Sequence, residues 1–322
     1  MTTIDSPTRT LTSSPPAYEL TPAQEVTFTQ LLGIGGGDRP FASPGLADDL
    51  EAIIADGIAG AVSRWTGGRL WISKSGLFSV LRCESAFVAE REQGAPTTLH
   101  PATAVGIVSH RAIQIAHTHP SLAPFEAVEA ALEGAMTEPA FERFWTGASI
   151  GQQSDLLMQM TSRVTLFLDS WPRLSPLWVP RFEESIQARV GGVVLAAKPD
   201  IVLGRPRADM RQTMFLCDLK TGALQDQHYA EAQFYALVST LRFRVAPYRS
   251  VVYSLASGTY TEPDVTEASL RAVAAQVVEG INATVDVMTE RREARAMPGA
   301  QCRWCPLRDT CPSAEAGMAQ TR

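Results

Sequence analysis

The sequence predicts an α/β fold, a mixed sheet flanked by helices and laid down in the order helix, three strands, helix, strand. Three observations predict it. Between Lys198 and Gly222, two apolar runs of strand length are separated by a loop rich in Arg, Pro and Gly, which is hairpin punctuation. Just before them, apolar and polar residues alternate from about Val179 to Ala188, and Gly191-Gly192 makes a turn. Just after them, Ala230, Phe234, Leu237, Val238 and Leu241 form a helical stripe, and an apolar strand follows at about Ser250–Leu255. A doubly wound fold would need strict strand–helix alternation, which this order lacks.

The 322 residues suffice for one large domain or two small ones. An apolar content of 45% and a charged content of 19% describe a globular protein without membrane spans. The first residues lack a basic-then-apolar leader pattern, so a cytoplasmic location is expected. A net charge of −6 does not advertise nucleic-acid binding, although a local basic groove would serve it.

Residues 1–22 are rich in Ser, Thr and Pro without an apolar period and read as a disordered tail. Residues 23–71 form an N-terminal helical segment. Within it, Gly33–Asp38 reads as a flexible connector, and Ser43-Pro44 opens a helix through Leu50, Ile53, Ile54, Ile58 and Val62. Ser73 or Ser75 caps the next helix, which carries Leu77, Phe78, Leu81, Phe87 and Val88, with Cys83 among them. A buried stripe at Val105, Val108, Ala112 and Ile115 marks a further helix bearing His110. His117 and His119 fall at that helix's end, as capping or loop residues. Residues 120–171 are helical, interrupted at Pro139 and Gly147, and form an insertion beside the sheet. Beyond the sheet, Leu270, Val273, Val277, Ile281, Val285 and Met288 line one face of a long helix, which delivers the chain to a cysteine-rich tail at 297–312 and a last stretch at 313–322.

The chemistry concentrates in the hairpin. Asp200 follows Pro199 in the first run, and Asp218-Leu219-Lys220 ends the second. Residues two apart in a strand share a face, so Asp218 and Lys220 project together, and the hairpin brings Asp200 beside them. Two carboxylates and an ammonium on one sheet edge are costly unless a divalent cation and a phosphodiester use them. Mg²⁺ or Mn²⁺ takes few hard oxygen ligands, which Asp200, Asp218 and the Leu219 carbonyl supply. Lys220, with its pKa depressed near the metal, would orient or deprotonate the attacking water. Arg205, Arg207, Arg211, Arg242, Arg244 and Arg249 flank this stretch in sequence and are expected phosphate contacts.

At these residues the chain resembles the PD-(D/E)xK nuclease superfamily, and within it the RecB-like branch, which ends its second motif with Asp-x-Lys-Thr-Gly. The resemblance implies a restriction-endonuclease-like core, αβββαβ, over residues 72–312, with the helical insertion and the cysteine tail. It implies a metal at His110, Asp200 and Asp218, because a similar Gly-x-x-x-His helix holds a metal ligand in that branch. It also implies catalytic roles for Asp200, Asp218 and Lys220, and for a glutamine and a tyrosine on the following helix. Gln233 and Tyr235 stand at similar places, with Tyr229 an alternative; Glu183 reads as a solvent-facing strand residue.

Cys302, Cys305 and Cys311 have metal-ligand spacing, and Cys83 supplies a fourth thiolate. Cys217, inside a strand, reads as an ordinary buried thiol. Zn²⁺ suits four cysteines. The resemblance, to AddB-type and CRISPR-adaptation nucleases, implies a [4Fe–4S] cluster instead, stapling the tail to the Cys83 helix. It further implies DNA as substrate, cut as single strands or at ends by an exonuclease. No Gly-Lys-Ser/Thr phosphate loop is present, so unwinding would fall to a helicase or another subunit of a repair or defence complex. The alternative is a non-catalytic DNA-binding or assembly subunit of such a complex.

Overall fold

The computed structural model describes residues 18–33, 41–94 and 99–319. Most of the expected N-terminal tail, the glycine run from residue 34 onward and the last three residues of the C-terminal stretch lie outside the described residues. Helix α1 (Pro22–Val26) starts with a capping box between Thr21 and Gln24 and runs into a π-helical turn at Thr27–Leu31. Helix α2 (Leu46–Arg64) buries Leu50, Ile54 and Ile58 of the expected stripe, with Ala61 in place of a half-buried Val62, and leaves Ile53 exposed.

Strand β1 (Trp71–Ser73) leads into α3 (Lys74–Arg82), where Gly76 N–H donates to the Ser73 hydroxyl at 3.2 Å. One continuous helix through Phe87 was expected; Cys83 is extended, with φ −167°, and divides it from α4 (Glu84–Gln93). Helix α5 (Pro101–Thr118) carries His110. The insertion consists of α6 (Pro124–Ala135), α7 (Pro139–Gly147) and α8 (Ile150–Ser170). Pro139 opens α7, since its missing N–H would be unbonded there in any case, and Gly147 closes it.

The expected first two strands form one long hairpin bent in the middle. Strands β3 (Ile186–Val190) and β4 (Val193–Ala197) are joined by Gly191 and Gly192, at φ 54° and 88°, the positive values a two-residue turn requires. Ile186 lies opposite Ala197, and the same register resumes between β2 (Arg181–Phe182) and β5 (Ile201–Leu203), where Phe182 lies opposite Ile201. Pro199 has no N–H for the ladder, and Glu183 adopts φ 49°, so both arms break at the same level. The break separates two sheets, β1-β4-β3 and β2-β5-β6-β7. Strand β6 (Phe215–Lys220) is antiparallel to β5, and β7 (Arg249–Ser254) is parallel to β6 after the crossover helix α9 (Gln227–Phe243). Helix α10 (Glu267–Met288) follows, and short α11 (Ala314–Ala319) lies beyond the cysteines.

Two cores lie on the two faces of the second sheet. Phe215, Cys217 and Leu219 of β6 pack with α5, α6 and α8, whereas Leu216 packs with α2, α9 and α10. Alternation therefore sends Asp218 and Lys220 to the α9 side. Helix α10 also presses on α3: a Cβ built on Gly280 would stand 2.3 Å from Leu77 Cδ1, a fully packed atom. Gly280→Ala is expected to cost about 1–3 kcal/mol despite its gain in helix propensity, read as a lower urea midpoint. No helix among the described residues is long and apolar enough to cross a membrane.

Candidate active site

The break at Pro199 places Asp200 at the gap between the sheets. Its Oδ2 accepts the Leu219 N–H at 2.6 Å, which fixes the carboxylate beside the end of β6. Its Oδ1 lies 3.1 Å from His110 Nδ1, which arrives from α5 on the opposite side of the sheet from Asp218. Burial pulls the His110 pKa down, but the hydrogen bond to Asp200 and the charges of Asp200 and Asp218 outweigh it and hold it above the usual histidine value.

Asp218 is 4% exposed and sits in a closed ring of charges. Its Oδ1 is 2.6 Å from Lys74 Nζ at the start of α3, and its Oδ2 is 2.9 Å from Lys220 Nζ. Glu231 of α9, 7% exposed, completes the ring, with Oε2 3.2 Å from Lys220 and 3.4 Å from Lys74. The Tyr235 hydroxyl donates to Asp218 Oδ1 at 3.0 Å and approaches the Lys198 carbonyl at 3.3 Å. Burial opposes ionisation of Asp218, but Lys74 and Lys220 overcome it and hold its pKa at about 2. Burial likewise pushes the Tyr235 phenol well up, reinforced by Asp218, so it remains a donor.

Lys220 does not have the depressed pKa expected of it. Burial alone would lower it, yet Asp218 and Glu231 raise it above the usual lysine value. A lysine between two carboxylates is a fixed cation, not a base.

Tyr235 and Gln233 part company because two residues on a helix are about 200° apart. The Gln233 amide meets Ser269 Oγ at 2.8 Å and the Asp264 carbonyl at 3.5 Å, outside the charged ring, so it ties α9 to the start of α10. Tyr229 is 39% exposed, and no contact joins it to the ring. Glu183 is an exposed wall of the cleft and pairs with Lys198 at 2.6 Å.

The six arginines are not at the acids. Parallel pairing sets Phe215 beside Arg249 at one end of β6 and Lys220 beside Ser254 at the other, about 16 Å away at a strand's rise. The Arg205–Arg211 loop and the end of α9 lie at the Phe215 end. There Arg207 pairs with Asp209, Arg244 with Asp48 and Glu51, and Arg249 with Asp264. Closeness in sequence misled here because a strand carries its ends apart.

Lys74 and Glu231 are the two charged residues that sequence reasoning missed. Glu231 stands four residues before Tyr235, hence on the same helical face, and that spacing was a usable signal. Lys74 gave none, because β1 is too short to show a period. Beside the ring opens a cleft of about 830 Å³, walled by Thr103, Ile107, His110 and Gln114 of α5 and floored by Leu219, Lys220 and Thr221. Arg163 of α8 anchors its rim through the Thr221 carbonyl at 2.9 Å.

The expected convergence of His110, Asp200 and Asp218 on one point is not drawn tight. Among the described residues, no three His, Cys, Asp or Glu side chains stand grouped to enclose a metal ion. The physical reason is that His110 comes from one face and Asp218 from the other, with Asp200 in the gap. The donor chemistry nonetheless fits Mg²⁺ or Mn²⁺. Such ions need one or two carboxylates and keep several waters. Asp218 Oδ2 and Glu231 Oε2 are buried without an aligned hydrogen bond, which leaves acceptor capacity in the ring.

The four other cysteines come near one another, though not grouped so as to enclose a metal ion. Cys83, Cys302, Cys305 and Cys311 line one small cavity of about 10 Å³. Met297 N–H points at Cys83 Sγ from 3.4 Å and Gly299 N–H at Cys302 Sγ from 3.5 Å. Burial raises the Cys305 pKa, and the charges of the other three add to it. Two of the four sulfurs thus face N–H groups, and the donor chemistry of four thiols suits Zn²⁺ or an iron–sulfur cluster, although the side chains as placed do not enclose one. Cys217 is fully buried in β6, as expected.

Across the chain, residues 72–312 match the PD-(D/E)XK nuclease superfamily. The chain belongs to that superfamily. Its members are generally hydrolytic nucleases. The mixed sheet with flanking helices is the superfamily's restriction-endonuclease-like fold. No curated protein matches the chain. Among solved structures, SSO0001 aligns over 82% of this chain and 96% of its own, at 12% identity and a TM-score of 0.33.

Proposed function

We propose that this chain is a metal-dependent deoxyribonuclease of the RecB-like kind, working in the cytoplasm on single strands or DNA ends. The ring of Asp218, Lys220, Lys74 and Glu231 beside Asp200 and His110, open to the α5 cleft, carries the reading. Asp200, Asp218 and the Leu219 carbonyl would hold Mg²⁺ or Mn²⁺. His110, whose Nδ1 lies 3.1 Å from Asp200 Oδ1, would stand beside them as a further ligand. A bound divalent cation supplies polarisation of a phosphoryl oxygen and a water of lowered pKa. The chain's own groups do the rest. Lys220, held as an ammonium, places positive charge where the phosphate gains negative charge. Tyr235 fixes the Asp218 carboxylate, and the Leu219 N–H fixes that of Asp200. A strand laid along α5 would meet Lys220 at the cleft floor.

The tail thiols would hold a [4Fe–4S] cluster by resemblance, or Zn²⁺, once drawn closer together around it. Visible absorption with iron and sulfide in anaerobically purified protein supports the cluster; zinc with no colour supports the ion. Duplex unwinding would come from a helicase partner.

The deciding assay incubates end-labelled single- and double-stranded DNA with the protein in Mg²⁺, Mn²⁺ or EDTA. Cleavage with either metal and none in EDTA is expected, with Lys220→Ala slower by about 10²–10³-fold. DNA bound but uncut under every condition would contradict the enzyme and support the assembly subunit.

A further inference from the structure

Lys74 has no task in the chemistry above, yet it makes one of the shortest contacts in the site. Its ammonium stands 2.6 Å from Asp218 Oδ1, 3.4 Å from Glu231 Oε2 and 4.8 Å from the centre of the Tyr235 ring. It reaches that point from the first turn of α3, with a side chain 16% exposed. Two ammonium ions and two carboxylates thus alternate around one ring, and the charges balance without any other ion.

That balance bears on how a divalent cation reaches Asp218. A cation arriving there meets a carboxylate already touching two ammonium groups, and like charges at this range repel. Lys220 is tied to the same strand two residues away and cannot leave the face. Lys74 is a compact charge on a flexible four-carbon stem. Glu231 already lies 3.4 Å from it and keeps Oε2 without an aligned hydrogen bond. An alternative seat for the ammonium is therefore in place.

We propose that Lys74 is an internal counter-ion that competes with the divalent cation for Asp218 and shifts onto Glu231 when the cation binds, so that the Lys74–Glu231 pair sets the metal affinity of the site. The inference rests on the metal-dependent reading above and goes beyond it. It makes Lys74 and Glu231 positioning residues, acting through Asp218.

The test is Mn²⁺ binding to the full chain, followed by the electron paramagnetic resonance of free Mn²⁺ at fixed pH and ionic strength. Lys74→Gln is expected to tighten binding by about tenfold, inside the usual range of coupling between sites. Glu231→Gln is expected to weaken it by a similar factor, because Lys74 then has no second seat. Simple removal of charge predicts the same two signs, so the double variant decides. If Glu231 acts through Lys74, the double variant binds like Lys74→Gln, within about twofold. Two effects that merely multiply would overturn the proposal, as would an unchanged Kd in Lys74→Gln. Lys74→Met gives the same test should the glutamine variant fold poorly. Wild type that binds Mn²⁺, with Asp218→Asn that does not, keeps the metal reading even if the Lys74 result fails. No Mn²⁺ binding by any form would overturn both.

Discussion

Asp218→Asn is expected to slow DNA cleavage by about 10³-fold under single-turnover conditions, at the upper end of what removal of one charged group from a reacting centre costs. The carboxylate is the point at which every other charge in the site meets. Lys74, Lys220 and the Tyr235 hydroxyl all lie within 3.0 Å of it. Asparagine keeps the shape and removes the charge. Two buried ammonium groups then share Glu231 alone, and breaking such a buried pair costs on the order of 3 kcal/mol of folding stability. The two effects separate cleanly: urea denaturation reports the second, and the cleavage rate of protein still folded reports the first. Cleavage within threefold of wild type would remove Asp218 from the chemistry.

The second large effect lies away from the cleft, at Glu84. This carboxylate is 2% exposed and holds the chain that leads into the cysteine tail. Arg292 grips both of its oxygens at 2.5 and 2.8 Å, and Arg295 adds its backbone N–H and a guanidinium contact, each at 2.9 Å. The hydrogen bond from Arg292 outweighs the burial that opposes it and, with Arg295, holds the Glu84 pKa at about 2 against an ordinary 4.5. The unfolded chain therefore takes up the proton first as pH falls. The stability Glu84 contributes is fully present above pH 4.5 and is lost as pH falls from there through about 2. Glu84→Gln should cost about 2–3 kcal/mol at neutral pH, the range for hydrogen bonds to a charged group, since the two arginines can return to water. It should also flatten the urea midpoint across that acid window relative to wild type. If the tail thiols hold a metal, as proposed, its loss is expected too, because Cys83 adjoins Glu84 and Met297 N–H reaches its sulfur. An equal acid slope in both proteins would place the titrating group elsewhere.

The fold was legible where side chains repeat with a period. The stripes of α2, α5, α9 and α10 and the Pro139 and Gly147 punctuation mark real helices at those places. The hairpin that carries Asp200 and Asp218 was readable from two apolar runs and a polar loop. The bend within that hairpin was not, because Pro199 and the positive φ of Glu183 act on the backbone and leave the alternation intact. Strand β1 is three residues long and shows no period at all. Its pairing with β4 is what brings Lys74 to Asp218, so the missed strand and the missed lysine are one omission. The site's electrostatics were out of reach for a similar reason. Lys220 reads as a base from its motif, but the Glu231 that keeps it charged arrives on another helix. The arginines misled in the opposite sense, being near in sequence and a strand's length away in space.

Asp200, in the gap of the broken sheet, and Asp218, on its α9 face, are proposed to serve one divalent cation with His110 beside it. Crystals soaked in Mn²⁺ and measured at its absorption edge test this directly. An anomalous peak is expected in contact with both aspartates and within reach of His110. A peak elsewhere, or none at a concentration that supports cleavage, would contradict it.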